Sequence, residues 1–158
     1  MRNLFFIFYL FNLNFCFAQK GTAVLNDSAA LANLSMIYQL SDISTFELSN
    51  LEVEVRMNLI RTFIKQTNQE LKSRSDEYDG WKKAKRYRIK NIGAYKIQIV
   101  PYLNDLGEQE IWINGFCSNH ANWRSEVVWV FDGGNCYFTM RINLTSGELI
   151  SSVTNGYI

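Results

Sequence analysis

Two hydrophobic periods divide the chain. From Ser49 onward the apolar residues recur at helical spacing. Leu51, Val55, Leu59 and Phe63 follow at four-residue steps, joined by Ile60, Ile64 and Leu71, which predicts one amphipathic helix over 50–72. Ser49-Asn50-Leu51-Glu52 has the spacing of a capping box: the serine covers the Glu52 N–H and the glutamate reaches back. Glu52 and Arg56 form an i,i+4 pair on the outer side. The polar stretch 73–80 ends the helix, and beyond it the period becomes two. Tyr95, Ile97 and Ile99 alternate with Lys96 and Gln98, and Pro101 falls near the strand end. Residues 110–116 predict a second strand. Residues 126–131, apolar on both faces, predict a third and central one. Residues 136–144 alternate with one apolar face, and 148–154 form the last strand. Asn104–Gly107 and Thr145–Gly147 read as turns, and Asp132-Gly133-Gly134-Asn135 reads as a hairpin because two glycines permit positive φ.

A helix followed by strands on short turns, with no strand–helix–strand crossover in view, predicts an α+β fold. One long N-terminal helix would pack on a curved antiparallel meander sheet of four to five strands, the single domain covering 48–158. Residues 19–47 are mixed and poorly defined. Asp27 caps a short helix through Ala29-Ala30-Leu31 to about Tyr38, and Ser41, Asp42, Ser44 and Thr45 read as a connection.

The first eighteen residues are different material. Arg2 and Asn3 precede a run from Leu4 to Phe11, and six of the eleven phenylalanines fall in this segment. One cation, a short apolar core and Cys16 and Ala18 at the −3 and −1 positions make a signal peptide cleaved before Gln19. The run is broken by Asn12 and Asn14 and is short for about 30 Å of hydrocarbon, so no stable membrane insertion is expected after cleavage. The location is exported, periplasmic or secreted. The whole chain has 158 residues, with Lys plus Arg 16 and Asp plus Glu 15. Arg2 is the only charge of the leader, so the remainder is neutral, with no overall pull towards nucleic acid or anionic membrane.

Cys117 and Cys136 remain after the leader. An even pair in an exported chain favours a disulfide. The meander opposes it: Cys117 ends one strand and Cys136 begins the strand two along. That puts them roughly 20 Å apart at about 3.3 Å per residue, where a bridge tolerates a Cα separation of only about 7 Å.

The lone histidine, His120, sits three residues from Cys117, too little for a Cys–His nucleophile with an orienting group or for a zinc site. Glu108, Glu110 and Glu126 flank strands and read as solvated. No phosphate-cradling loop, Gly-x-Ser-x-Gly or His-Glu-x-x-His is present. No catalytic, cofactor or metal residue is expected. Two candidate binding surfaces stand out. Lys82 to Lys90 carries six cations in nine residues, including Lys83, Arg86 and Arg88; as a strand, Arg86, Arg88 and Lys90 share one face. Such a ribbon suits an acidic partner or guards a sheet edge. If Ile111 and Ile113 face the helix, Trp112, Asn114 and Phe116 lie on the other face with Trp123 nearby. They form either an aromatic recognition patch or a surface packed under residues 19–47.

Residues 111–117 (Ile-Trp-Ile-Asn-Gly-Phe-Cys) and 132–138 (Asp-Gly-Gly-Asn-Cys-Tyr-Phe), with the export signal and the stretch from Tyr87 to Tyr102, are similar to small exported proteins of unassigned function from Bacteroidetes-type bacteria. The likeness covers roughly 48–158 and implies an envelope or secreted location. The element order resembles cystatin-like and nuclear-transport-factor-like topologies. The expected function is an exported, non-enzymatic binding module for a protein or glycan, inhibitor-like or immunity-type. The competing readings are a structural envelope protein and an enzyme with an unrecognised site.

Overall fold

Capping chemistry sets both main helices. The structure is a computed structural model describing residues 21–156; the leader expected over 1–18 lies outside the described residues. Helix α1 (Ser28–Tyr38) starts where the Asp27 carboxylate accepts the Ala30 N–H at 2.8 Å. Helix α2 (Asn50–Ser73) starts on the Ser49–Glu52 capping box, with both reciprocal bonds formed. A one-turn helix, α3 (Trp81–Ala84), follows. The strands are β1 (Thr22–Val24), β2 (Ser44–Thr45), β3 (Lys96–Leu103), β4 (Gln109–Phe116), β5 (Tyr137–Asn143) and β6 (Glu148–Thr154).

The fold is α+β with a mixed sheet in the order β1-β3-β4-β5-β6, and β2 pairs with the far end of β3. Strands β3 to β6 form an antiparallel meander that lacks the strand expected over 126–131. Two features correct the expectation. The long helix is central in the chain, not N-terminal, because β1, α1 and β2 precede it. The sheet is not wholly antiparallel, because β1 runs parallel to β3. Three residues are too few to show a period, so β1 is silent in the sequence.

Pro101 sits within β3, and the sheet accommodates it locally. The Ile97 N–H donates outward to Gly21 O, the Ile99 carbonyl accepts from Leu25 N, and the Pro101 carbonyl faces Thr45 Oγ1. Odd-numbered residues therefore turn their backbone groups to the outer edge. There Pro101 falls between β1, which ends opposite Ile99, and β2, which begins opposite Tyr102. Its missing donor leaves no ladder bond unmade.

The sheet is covered on both faces. On one, α2 lays Met57, Ile60, Phe63 and Ile64 over the isoleucines of β3 and β4 and over Phe138, Met140 and Ile142 of β5. Leu51 and Val55 were expected in this stripe, yet they are exposed. Each four-residue step overshoots a full turn by about 40°, so the ladder back from Phe63 rotates off the sheet. On the other face, α1 packs Ala30 and Leu34 over Val100, Tyr102 and Trp112.

The segment 126–131 is not a strand, which corrects the central-strand expectation; β4 pairs directly with β5. The segment crosses the second face, and buried side-chain amides satisfy its backbone. Gln98 Nε2 donates to Trp123 O and Glu126 O at 2.6 Å, Val128 N donates to Gln98 Oε1 at 3.0 Å, and Asn114 Nδ2 donates to Val128 O at 2.7 Å. Two amides thus replace a strand partner. Residues 132–135 make no hairpin either. Gly133 and Gly134 do take positive φ (88° and 57°), but they lead into a 3-10 turn, Gly134–Cys136, that delivers Cys136 beside Cys117. The two cysteines are bridged, with Cα atoms 5.1 Å apart. The strand assumed to separate them does not exist. Gly115 faces Phe138 directly, and a Cβ there would meet the phenyl ring at 2.0 Å, so only glycine fits.

Candidate functional site

The basic run does not form a strand. Gly80 takes φ 95°, residues 81–84 make α3, and 85–87 form a 3-10 turn. Ala84 and Ile89 are the buried anchors, and the cations around them stay exposed. After the turn the chain runs back along α2, and side chains clamp its backbone. Asn68 on α2 binds both backbone groups of Ile89, donating to its carbonyl and accepting its N–H, each at 2.9 Å. Asn135 Nδ2 donates to Arg88 O at 2.9 Å. Tyr95 OH accepts the Lys90 N–H at 2.9 Å and donates to Asn135 O at 2.6 Å. Three side chains from three parts of the chain therefore hold residues 88–90, with Ile89 inward and Arg88 and Lys90 exposed.

The result is a groove of about 600 Å³ between α2 and residues 81–92. One wall carries Arg61, Lys65 and Lys72 of α2; the other carries Arg88 and Lys90; Trp81, 37% exposed, lines it as well. No carboxylate lines it. Among the described residues Lys65, Lys72, Arg88 and Lys90 form no ion pair, and Arg61 bonds only to the neutral Asn58 side chain. Arg88, Lys90 and Asn91 also line a second depression of about 360 Å³ with Lys85 and Asn135, so they form a ridge between two hollows. In a chain of nearly balanced charge this is a pronounced local excess, and concave basic surfaces raise the local concentration of anions.

Of the cations singled out in the sequence, Arg88 and Lys90 lie in this groove. Lys83 does not; it pairs with Asp79. Arg86 lies outside the lining and is engaged elsewhere in the fold. The α2 contribution was missed. Arg61, Lys65 and Lys72 fall at i, i+4 and i+11 on one helical face, a signal that becomes meaningful only once something is known to pack beside that face.

Of the two readings of the aromatic face, packing under residues 19–47 holds for Trp112, which lies against α1, and the recognition patch does not. Trp112 and Phe116 are fully buried, and Asn114 and Trp123 nearly so. Trp112 donates from Nε1 to Tyr38 OH at 3.0 Å and packs on Trp129; Phe116 packs edge-on against Trp123. These residues lie beneath α1 and residues 123–130, where they form core and offer no surface.

Cys117 is spent in the disulfide and offers no thiolate to His120. Instead His120 Nε2 lies 2.8 Å from Ser118 Oγ, which also bonds Tyr137 OH at 2.6 Å. This chain braces the loop beside the bridge. Among the described residues no group of three or more His, Cys, Asp or Glu could hold a metal ion.

A second polar cluster is buried under Tyr38. Tyr102 and Glu110 face each other across β3 and β4. The Tyr102 hydroxyl donates to Glu110 Oε2 and accepts Arg141 Nε at 3.0 Å, while Arg141 also pairs with Glu110 at 3.0 Å. Asn104 Nδ2 donates to Glu110 Oε1 at 2.8 Å, and the Arg141 guanidinium stacks 5.1 Å from the Tyr38 ring. Burial pushes the Glu110 carboxyl up, but the hydrogen bonds from Tyr102, Asn104 and Arg141 and the guanidinium charge outweigh it and hold the group below the ordinary carboxylate range. Burial, then the bond to Glu110, drives the Tyr102 phenol well above its usual range. Glu110 is thus a buried ion-pair partner and not the solvated strand-end carboxylate expected. With its hydrogen bonds satisfied, the cluster is a structural lock across three strands.

Comparison with protein families, with curated proteins and with solved structures finds no match.

Proposed function

We propose that the chain is an exported, non-enzymatic binding module that engages an acidic protein or glycan through the groove between α2 and residues 81–92. One observation carries the reading: five cations face one groove with no carboxylate in its lining, and the backbone of one wall is clamped in place. Like charges held together repel one another and cost stability, so their retention on a rigid wall favours a ligand that neutralises them. The described residues contain no helix long and apolar enough to cross a membrane, and the disulfide suits an oxidising compartment. Export itself is read by mass: the chain recovered outside the cytoplasm is expected to begin at Gln19, and a soluble cytoplasmic product retaining 1–18 would overturn export.

The binding test is electrostatic. The chain from Gln19 is expected to bind immobilised acidic polymers, poly-glutamate and polygalacturonate among them, and to be released as salt shortens the Debye length from about 30 Å at 0.01 M to about 8 Å at 0.15 M. The variant Arg61→Glu, Lys65→Glu, Arg88→Glu, Lys90→Glu is expected to lose that binding with its Tm nearly unchanged, since all four side chains are exposed. Binding that survives the four reversals refutes the groove as the site.

A further inference from the structure

We infer that the groove takes a linear acidic polysaccharide whose pyranose rings carry carboxylate or sulfate groups, an inference that rests on reading the groove as an anion-binding surface. Its charges are spread out. From Arg61 to Lys72 the α2 wall runs for eleven residues, about 16 Å along the helix axis, and Arg88 and Lys90 face it from across the groove. A single phosphate would call for convergent donors; spaced cations on two walls suit anions repeated along a polymer. The uncharged lining suits sugar as well. Gln69 makes no side-chain hydrogen bond among the described residues, and Asn91 uses only its Oδ1, to hold the Gly93 N–H. Amide donors and acceptors therefore remain for hydroxyl groups. Trp81 adds a flat apolar face of the kind against which the C–H face of a pyranose stacks.

The same wall disfavours an acidic peptide. An extended peptide gains affinity from main-chain bonds to a free edge, or from apolar side chains in pockets. Along residues 88–90 four backbone groups are already taken: the Arg88 carbonyl by Asn135, both groups of Ile89 by Asn68, and the Lys90 N–H by Tyr95. Of the apolar side chains in the lining, Ile64 and Ile89 are buried and Ile92 is half-buried, which leaves Trp81 the most exposed of them. Recognition is left to side chains, which is how a saccharide is read.

The experiment is calorimetric titration of the chain from Gln19 with polygalacturonate, chondroitin sulfate, neutral dextran and poly-glutamate of matched charge density, alongside Trp81→Ala and Trp81→Tyr. The expected result is tighter binding to one or both acidic glycans than to poly-glutamate, and none to dextran. Trp81→Ala should weaken glycan binding on the order of tenfold, as loss of a stacking ring does elsewhere, and Trp81→Tyr should restore most of it. Polygalacturonate carries carboxylate alone and chondroitin sulfate carries carboxylate and sulfate, so tighter binding of the latter assigns a contribution to sulfate. Equal or better binding of poly-glutamate, with Trp81→Ala indifferent, overturns the glycan inference and leaves an acidic partner standing. Failure of all three polyanions at low salt overturns both.

Discussion

Replacing Glu110 with alanine is expected to cost about 3–5 kcal/mol, the penalty for leaving a buried charge without its partner. The Arg141 and Glu110 side chains are only 16% and 5% exposed, so water cannot readily take the carboxylate's place. The change also strips the Tyr102 hydroxyl of its acceptor and Asn104 of one of its bonds. Urea unfolding monitored by tryptophan fluorescence measures the loss; a cost under about 1 kcal/mol, the range of exposed pairs, would show that the cluster is not a lock. The pH dependence carries a defined sign. An unfolded glutamate takes up its proton near pH 4.3, whereas native Glu110 holds its proton off to lower pH. The native state is therefore favoured above that value, and the contribution is lost as pH falls from about 4.3 through the lower native pKa. Glu110→Gln should flatten this acid limb while keeping the shape of the side chain.

Removal of the Cys117–Cys136 bridge is expected to be the other large effect. The two residues are 19 apart in sequence, and opening a loop of this size costs about 3 kcal/mol in the chain-entropy view, a fall in Tm on the order of 10 °C for a chain of this length. The loop carries Trp123 and Val128, whose neighbouring backbone is pinned to Gln98 and Asn114. Its release should therefore loosen the cover over the second sheet face before the meander itself melts. Hydrogen exchange on Cys117→Ser, Cys136→Ser is expected to show lost protection over 118–131 with β3 to β5 retained. Thiol titration of the denatured, unreduced chain from Gln19 should find no free thiol. Two thiols, or a double variant as stable as its parent, would remove the bridge from the account.

The local elements were legible because their signals are local. The capping box at Ser49 and the Asp27 cap each depend on residues three apart, and the period-two alternation of β3, β4 and β5 depends on nothing beyond the strand itself. The misreadings share one physical origin. Residues 127–131 are apolar and rich in valine, as a central strand would be, yet a strand also needs a partner with free backbone groups. Gln98 and Asn114, far away in the sequence, satisfied that backbone first. Cys136 could be placed beside Cys117 only once that strand was gone. Arg86, Arg88 and Lys90 alternate like a strand, but Asn68, Tyr95 and Asn135 hold the segment in another path.

The sequence by itself determined the α+β class, the capped helix expected over 50–72, the alternating strands of the meander and the two cysteines available for a bridge, because each of these rests on spacing along the chain. Tertiary structure alone decided three things: that Trp112 and Phe116 are core, that β1 lies parallel to β3, and that Arg61, Lys65 and Lys72 face Arg88 and Lys90 across one groove. Those outcomes turn on which surfaces meet across distant segments. Burial, pairing and the focusing of charge are properties of two surfaces together, and no pattern within either one records them.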